Sequence, residues 1–223
     1  MIDLLILGGG PAGYVAAERA GQAGLKVVLF EKSAMGGVCL NEGCIPTKTL
    51  LYSAKIYANA VNGDNYGVFG DNIRFDYGKM VSRKKKIVRK LVLGVESKMK
   101  SNKVEVVKGE AFIKGRSSEG IEIGCNGEKY VGRNLLICTG SEASVPPIPG
   151  LSEAGNIILT NREILEMTER PESLVVIGGG VIGMEFASFY NSLGSKVTVV
   201  EMLPEIVAGM DLEVSTMLRQ IYV

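Results

Sequence analysis

Residues 6 to 31, ILGGGPAGYVAAERAGQAGLKVVLFE, are matched 170 positions later by VIGGGVIGMEFASFYNSLGSKVTVVE at 176 to 201. Five glycines stay in register (Gly8/Gly178, Gly9/Gly179, Gly10/Gly180, Gly13/Gly183 and Gly24/Gly194), as do Lys26/Lys196, Val27/Val197 and the closing acids Glu31/Glu201. Each copy reads as a strand, a glycine turn, a helix and a second strand that ends in an acid. The first glycine makes the tight turn, the second lets backbone N–H groups approach a pyrophosphate, and the third lets the helix pack closely on the strand. The helix N-terminus adds partial positive charge, and the acid can accept both hydroxyls of an adenosine ribose. Two tight turns selected only for packing are the alternative. The paired acids, each 18 residues after its third glycine, favour two dinucleotide sites, and a flavin with a nicotinamide cofactor is the natural pair.

Between the copies stands GGVCLNEGCIPTK, residues 36 to 48. Pro46 suits the first turn of a helix continuing through TKTLLYSAKIYANA, which puts Cys44 near that helix's N-terminus, where the dipole favours a thiolate. A short extended turn can bring Cys39 and Cys44 to disulfide geometry. Lys48 falls one turn beyond Cys44 on the same helix face. The group suits reversible dithiol exchange. Two free cysteines in a loop, or half of a metal site, are the alternatives.

Composition narrows the chemistry further. The 223 residues contain no histidine, so they hold no Ser-His-Asp or Cys-His hydrolase site, no His-ligated zinc and no His general base. The 25 basic and 24 acidic side chains nearly balance, which gives no general electrostatic reason to expect nucleic acid or an anionic membrane as partner. No apolar run approaches a membrane span, and a strand-like segment begins at Ile2, so the expectation is a cytoplasmic chain without a signal peptide. Four cysteines are too few for a secreted disulfide scaffold.

Taken together, the glycine turn, GGVCLNEGCIPTK and ICTGSEASVPPIPG (137 to 150) resemble the pyridine nucleotide-disulfide oxidoreductases over essentially the whole chain. This family includes dihydrolipoamide dehydrogenases, glutathione reductases and mercuric reductases. Leu40 and Thr47 match the dihydrolipoamide dehydrogenase branch, while Val38 departs from a more usual threonine and Cys138 from a common alanine. The resemblance implies FAD held by Gly8, Gly10, Gly13, Glu31, Lys32, Gly36, Gly37, Val38, Lys48, the Ala111 backbone and Thr139, Gly140 and Ser141. It implies NAD held by Gly178, Gly180, Val181, Ile182, Gly183, Glu185 and Glu201, the last disfavouring a 2′-phosphate by like charge.

In the same resemblance Cys39 is the thiol that exchanges with substrate, Cys44 the thiol beside the flavin, and Glu185 the acid that pairs with Lys48, expected as an ion pair linking two domains. It further implies oxidation of dihydrolipoamide carried on the lipoyl domain of a 2-oxoacid dehydrogenase, acetoin dehydrogenase or glycine cleavage complex, and a homodimeric parent enzyme. A mercuric or glutathione type reductase, or a non-catalytic FAD/NAD-binding fragment, are the alternative readings.

The expected fold is α/β: an FAD/NAD(P)-binding Rossmann-like three-layer domain (1–145) with a small antiparallel excursion, a linker (146–150), and an incomplete second nucleotide-binding domain (151–223). The expectation is incompleteness because a helix begins after Glu201 with no further strand to cover it, and inactivity alone because the family's base is a histidine. Met80, Ile87, Leu91 and Val95 predict a helix within 79–100, its lysines and arginines read as a solvated face rather than a patch for nucleic acid or an acidic partner. The runs VEVVKG, AFI, GIEIG and KYV predict the antiparallel excursion, with Cys125 at a strand end and Cys138 a small buried hydrophobe.

Overall fold

The computed structural model describes Met1–Tyr222; Val223, the last residue of the expected second domain, lies outside the described residues. Contacts divide the chain into two compact units, one of Met1–Pro46 with Lys86–Ile158, the other of Thr47–Lys85 with the residues from Leu159 onward.

In chain order the helices and strands of the first segment are β1 (Ile2–Leu7), α1 (Pro11–Gln22), β2 (Val27–Glu31), α2 (Gly37–Asn41) and α3 (Cys44–Val61). There follow α4 (Tyr77–Ser101), β3 (Glu105–Lys108), β4 (Ala111–Ser117), β5 (Gly120–Cys125) and β6 (Glu128–Ile137). The last elements are α5 (Asn161–Glu166), β7 (Ser173–Ile177), α6 (Val181–Ser192), β8 (Lys196–Val200) and α7 (Leu212–Tyr222).

The first unit is built on one sheet of order β3-β2-β1-β6-β5-β4. The four strands β3, β2, β1 and β6 run parallel, with Leu4 opposite Val27 and Asn134, and Val28 opposite Glu105. VEVVKG therefore belongs to the parallel sheet, not to the antiparallel excursion expected from the sequence, because α4 returns the chain to the β2 edge before the hairpin begins. The excursion proper is β4 and β5 with the first half of β6, where Ile123 opposes Ile113 and Tyr130.

Strand alternation then produces three layers. Ile6, Val27 and Leu29 point to a face where Ala17 and Ala20 of α1 and Val95 and Met99 of α4 cover them. Leu5, Leu7, Val28 and Phe30 point the other way, against Ile123 and Cys125 of the hairpin. Both faces of β1 and β2 are buried, as their near-continuous apolar sequence requires, and each fully buried large side chain contributes about 1.5–3 kcal/mol.

Helix α4 buries part of the stripe the sequence suggested: Val95 is buried and Met80 and Ile87 are half-buried. Tyr77, Val81, Lys84, Val95 and Met99 are buried, whereas Leu91 is 40% exposed. The correction to Lys84 has a clear physical basis: a side chain read as solvated is 2% exposed, and its ammonium donates to the Leu165 carbonyl at 2.5 Å and to Glu166 at 2.7 Å. A buried cation is tolerated when it meets the free carbonyls at a helix C-terminus and a carboxylate.

In the second unit β7 and β8 pair in parallel, and α6 covers one of their faces. Leu174 and Val197 join a core of Tyr190, Phe189, Phe186, Leu50 and Val81. Tyr190 and Tyr77 share a buried hydroxyl contact at 3.1 Å, and burial raises both phenol pKa values. On the opposite face Val175 and Ile177 are 62% and 50% exposed.

Candidate functional site

The two repeats fold to the same local structure. Gly8 and Gly178 turn the chain with φ of +101° and +102°, a left-handed conformation that β-carbons oppose. Gly13 and Gly183 lie against the carbonyl oxygens of Gly8 and Gly178, so α1 and α6 begin in direct backbone contact with their own turns. Helix α1 starts at an N-cap Gly10 with Pro11 in the first turn, and α6 at an N-cap Gly180. Neither N-terminus has a side-chain cap or an acid in its first turn. A Cβ on Gly180 would meet nothing within 4 Å, and one on Gly10 only Gly37 Cα at 3.7 Å. Each repeat thus offers uncapped N–H groups at the positive end of a helix dipole beside open space, which is what a pyrophosphate requires.

The closing acids do something the sequence did not indicate. Glu31 accepts from the N–H of Gly9 at 2.7 Å and of Ser33 at 2.7 Å. Glu201 does the same to Gly179 at 2.6 Å and Leu203 at 2.8 Å. These bonds hold the Glu201 carboxyl below the usual carboxylate range. Each acid is a clasp between the end of its strand and its own glycine turn. A carboxylate offers about four lone-pair sites, so ribose hydroxyls can still be accepted. Beside Glu31 lies an open cleft of about 430 Å³, lined among others by Ser33, Met35, Glu96, Lys100 and Lys108.

The remaining residues expected around the first nucleotide are distributed as follows. Lys32 pairs with Glu110 at 3.4 Å. Gly36 and Gly37 carry positive φ, as the N-cap and first residue of α2, and the Gly36 N–H donates to the Gly9 carbonyl at 2.8 Å. Val38 is 40% exposed, and Ala111 opens β4 opposite Cys125. Thr139, Gly140 and Ser141 form an exposed loop after β6. Its root meets the first turn, where Cys138 donates to Leu7 at 2.7 Å. Cys138 is half-buried rather than enclosed, and Cys125 is buried, with burial as the first cause that raises its thiol pKa. In the second repeat, Val181 and Ile182 begin α6 and are exposed.

A disulfide joins Cys39 to Cys44, with the Cα atoms 4.7 Å apart. Cys44 is the first residue of α3, with Pro46 in its first turn, as the sequence predicts. Cys39, however, sits in the short helix α2 and not in an extended turn. Helical φ/ψ there lets Asn41 donate to the Gly37 and Met35 carbonyls at 3.0 and 3.1 Å, closing the turn on itself. Leu40 and Ile45, the neighbours of the two cysteines, pack in the core beneath the parallel sheet. Lys48, one turn along α3, forms an ion pair with Glu185 of α6. Both partners fall within the second compact unit, so the pair is internal to it and does not link the units.

Two glycine-turn βαβ motifs, each with an acid clasp and an uncapped helix start, combined with a disulfide at the head of a helix, define a nucleotide-binding redox protein. The family model for pyridine nucleotide-disulphide oxidoreductases matches residues 2–222, and the chain belongs to that family, whose members use FAD and NAD.

The chain is 48% identical over 212 residues to dihydrolipoyl dehydrogenase of Acholeplasma laidlawii, covering 94% of this chain and 62% of that protein. It is 42% identical over 223 residues to dihydrolipoyl dehydrogenase of Bacillus subtilis, covering 96% and 46%. Among solved structures, the HOCl-induced flavoprotein disulfide reductase RclA from Escherichia coli superposes with a TM-score of 0.82 at 30% identity, covering 98% of this chain and 46% of that one. The chain thus spans between 46% and 62% of the length of these relatives. No helix among the described residues is long and apolar enough to cross a membrane.

Proposed function

We propose that the chain is the flavin- and nicotinamide-binding part of a dihydrolipoamide-oxidising enzyme in which Cys39 and Cys44 cycle between disulfide and dithiol. The observation that carries this reading is the Cys39–Cys44 disulfide at the head of α3, in the same compact unit as the first uncapped glycine turn. In this reading residues 1–145 hold FAD, 146–150 are a linker and 151–223 belong to the NAD-binding part. FAD when bound supplies a two-electron acceptor, and NAD the final hydride acceptor.

The chain's own residues do the rest. A substrate thiolate attacks Cys39 Sγ, the Cys39–Cys44 bond breaks, and Cys44 leaves as a thiolate stabilised by the α3 dipole. The second substrate thiol, losing its proton to solvent, attacks the substrate sulfur held on Cys39; the Cys39–substrate bond breaks, Cys39 leaves as a thiolate that regains a proton from solvent, and the substrate departs as a disulfide. Cys44 is the sulfur held for electron transfer to the flavin. Gly8, Gly10, Gly13 and the Glu31 clasp orient the FAD diphosphate and ribose, with Lys32, Gly36, Gly37, Val38, the Ala111 backbone and Thr139 to Ser141 around them. Gly178, Gly180, Val181, Ile182, Gly183 and Glu201 serve NAD likewise, and Glu185 holds the Lys48 ammonium. The partner is the lipoyl domain of a multienzyme complex and the parent enzyme is a homodimer acting in the cytoplasm.

The test is flavin reduction in the purified chain supplied with FAD. Dihydrolipoamide in excess, beyond the two electrons that the disulfide takes up, should reduce the flavin in the native chain and not in Cys39→Ser, while NADH reduces it in both. Reduction by dihydrolipoamide that survives Cys39→Ser would overturn the assignment. Steady-state lipoamide turnover by these 223 residues alone should be small, since they contain no histidine to carry the proton. NADH oxidation driven by glutathione disulfide or mercuric ion, and not by lipoamide, would replace the substrate.

A further inference from the structure

The stretch Tyr77–Val95 carries seven basic side chains (Lys79, Arg83, Lys84, Lys85, Lys86, Arg89 and Lys90) and no acid, which leaves 18 basic against 24 acidic side chains in the rest of the chain. A molecule close to neutral in total is therefore an acidic body with one basic helix. The structure separates those cations by task. Lys84 and Lys85 share Glu166, Arg83 donates to the Thr49 carbonyl at 3.1 Å and lies over Tyr52, and Lys79 pairs with Asp76.

Lys86, Arg89 and Lys90 are different. All three are exposed, and none makes an ion pair among the described residues. With Leu93, which is 53% exposed, they lie at helical spacing on one side of α4. The opposite side, Val88, Val92, Val95 and Met99, packs in the cluster that contains Leu40 and Ile45, the neighbours of the two redox cysteines. Three cations without an ion pair among the described residues, around an exposed leucine, are spare charge on a helix whose inner face shares a core with the residues next to the disulfide.

We infer that the Lys86–Arg89–Lys90–Leu93 face of α4 is a docking surface for the acidic face of the protein domain that delivers the substrate dithiol. This rests on the proposed function and deepens it by assigning where that domain binds. Charge complementarity selects the occupant. The net −6 of the remaining chain opposes the extended contacts that nucleic acid or an anionic membrane would require. A compact acidic patch needs only a few opposing cations and a central apolar contact, with charge setting the encounter rate and register.

The experiment measures binding of the 223-residue chain to a recombinant lipoyl-bearing domain of net negative charge, by titration calorimetry at low and moderate salt. Expected are measurable binding that weakens as salt rises and a drop of about tenfold or more in Lys86→Glu/Arg89→Glu/Lys90→Glu. A smaller drop is expected in the corresponding Gln variant, and none in Lys114→Glu/Arg116→Glu on the distant hairpin. Circular dichroism confirms that each variant keeps its helix.

Absence of binding by the native chain, or equal binding by the triple charge reversal, overturns the inference. So does displacement of the domain by duplex DNA or by vesicles containing anionic lipid. Flavin reduction by free dihydrolipoamide does not use this face, so its failure would reject the proposed function while leaving the docking measurement to be read separately.

Discussion

Replacing Gly13 by alanine probes how each repeat holds a nucleotide. A Cβ built on Gly13 would lie 1.8 Å from the Gly8 carbonyl oxygen, whereas on Gly183 it would lie 2.4 Å from Gly178 and 3.0 Å from Val176 Cγ1. The obstructing atom at Gly13 is backbone of the turn itself and has no rotamer to escape into, so α1 must move away from β1 by more than an ångström. Forced overpacking of this kind costs typically 1–3 kcal/mol, and alanine returns about 1 kcal/mol of helix propensity. The net loss for Gly13→Ala is about 1 kcal/mol, or roughly 2–4 °C in Tm for a chain of this size.

Gly183→Ala should lose less. Gly94→Ala, inside α4 with nothing within 4 Å of the added carbon, should gain about 0.5–1 kcal/mol. Thermal denaturation followed by circular dichroism reads the order Gly94→Ala above native above Gly183→Ala above Gly13→Ala. FAD titration should show Gly13→Ala weakened and Gly183→Ala unaffected. Equal stability of Gly13→Ala and the native chain would refute the close-approach argument.

Other expectations follow from single residues. Val207 is buried at 5% exposure yet holds φ +46°, donating to the Gly179 carbonyl at 2.7 Å as Gly36 donates to Gly9 in the first repeat. The left-handed strain costs a branched residue about 1–2 kcal/mol, so Val207→Gly should cost about 1–2 kcal/mol less than Val28→Gly in urea unfolding. Lys84→Ala should destabilise by about 2–3 kcal/mol through lost charge-assisted bonds, with Lys84→Met recovering part of it by keeping the buried stem.

Glu201 has a folded pKa below its ordinary 4.5, so its clasp stabilises fully above that pH and is lost as the pH falls through the lower folded value. Glu201→Gln should flatten this part of the acid limb of stability, and an unchanged limb would show that the clasp contributes nothing.

These residues also mark what the sequence could and could not reveal. The repeat was legible because glycine at a left-handed turn and at a helix–turn contact has no substitute, so Gly8, Gly13, Gly178 and Gly183 leave a fixed spacing. The CxxxxC spacing and Pro46 likewise fixed where α3 begins. The clasp role of Glu31 and Glu201 was hidden, because a carboxylate that accepts two backbone N–H groups has the same letter and position as one that only binds ribose. Lys84 was misread for a related reason: its burial depends on the carbonyl of Leu165 and on Glu166, some eighty residues away. The exposure of Leu91 on α4 was hidden because a helix that changes neighbours along its length has no single periodicity. VEVVKG was assigned to the hairpin because a short strand carries no mark of its pairing direction.

The most direct test of the account is the absorption spectrum of the purified chain, supplied with FAD and reduced anaerobically by two electrons with dithiol. The account predicts a long-wavelength charge-transfer band from the Cys44 thiolate to oxidised flavin, retained in Cys39→Ser and lost in Cys44→Ser. A chain that binds no flavin, or a band that survives Cys44→Ser, would contradict it.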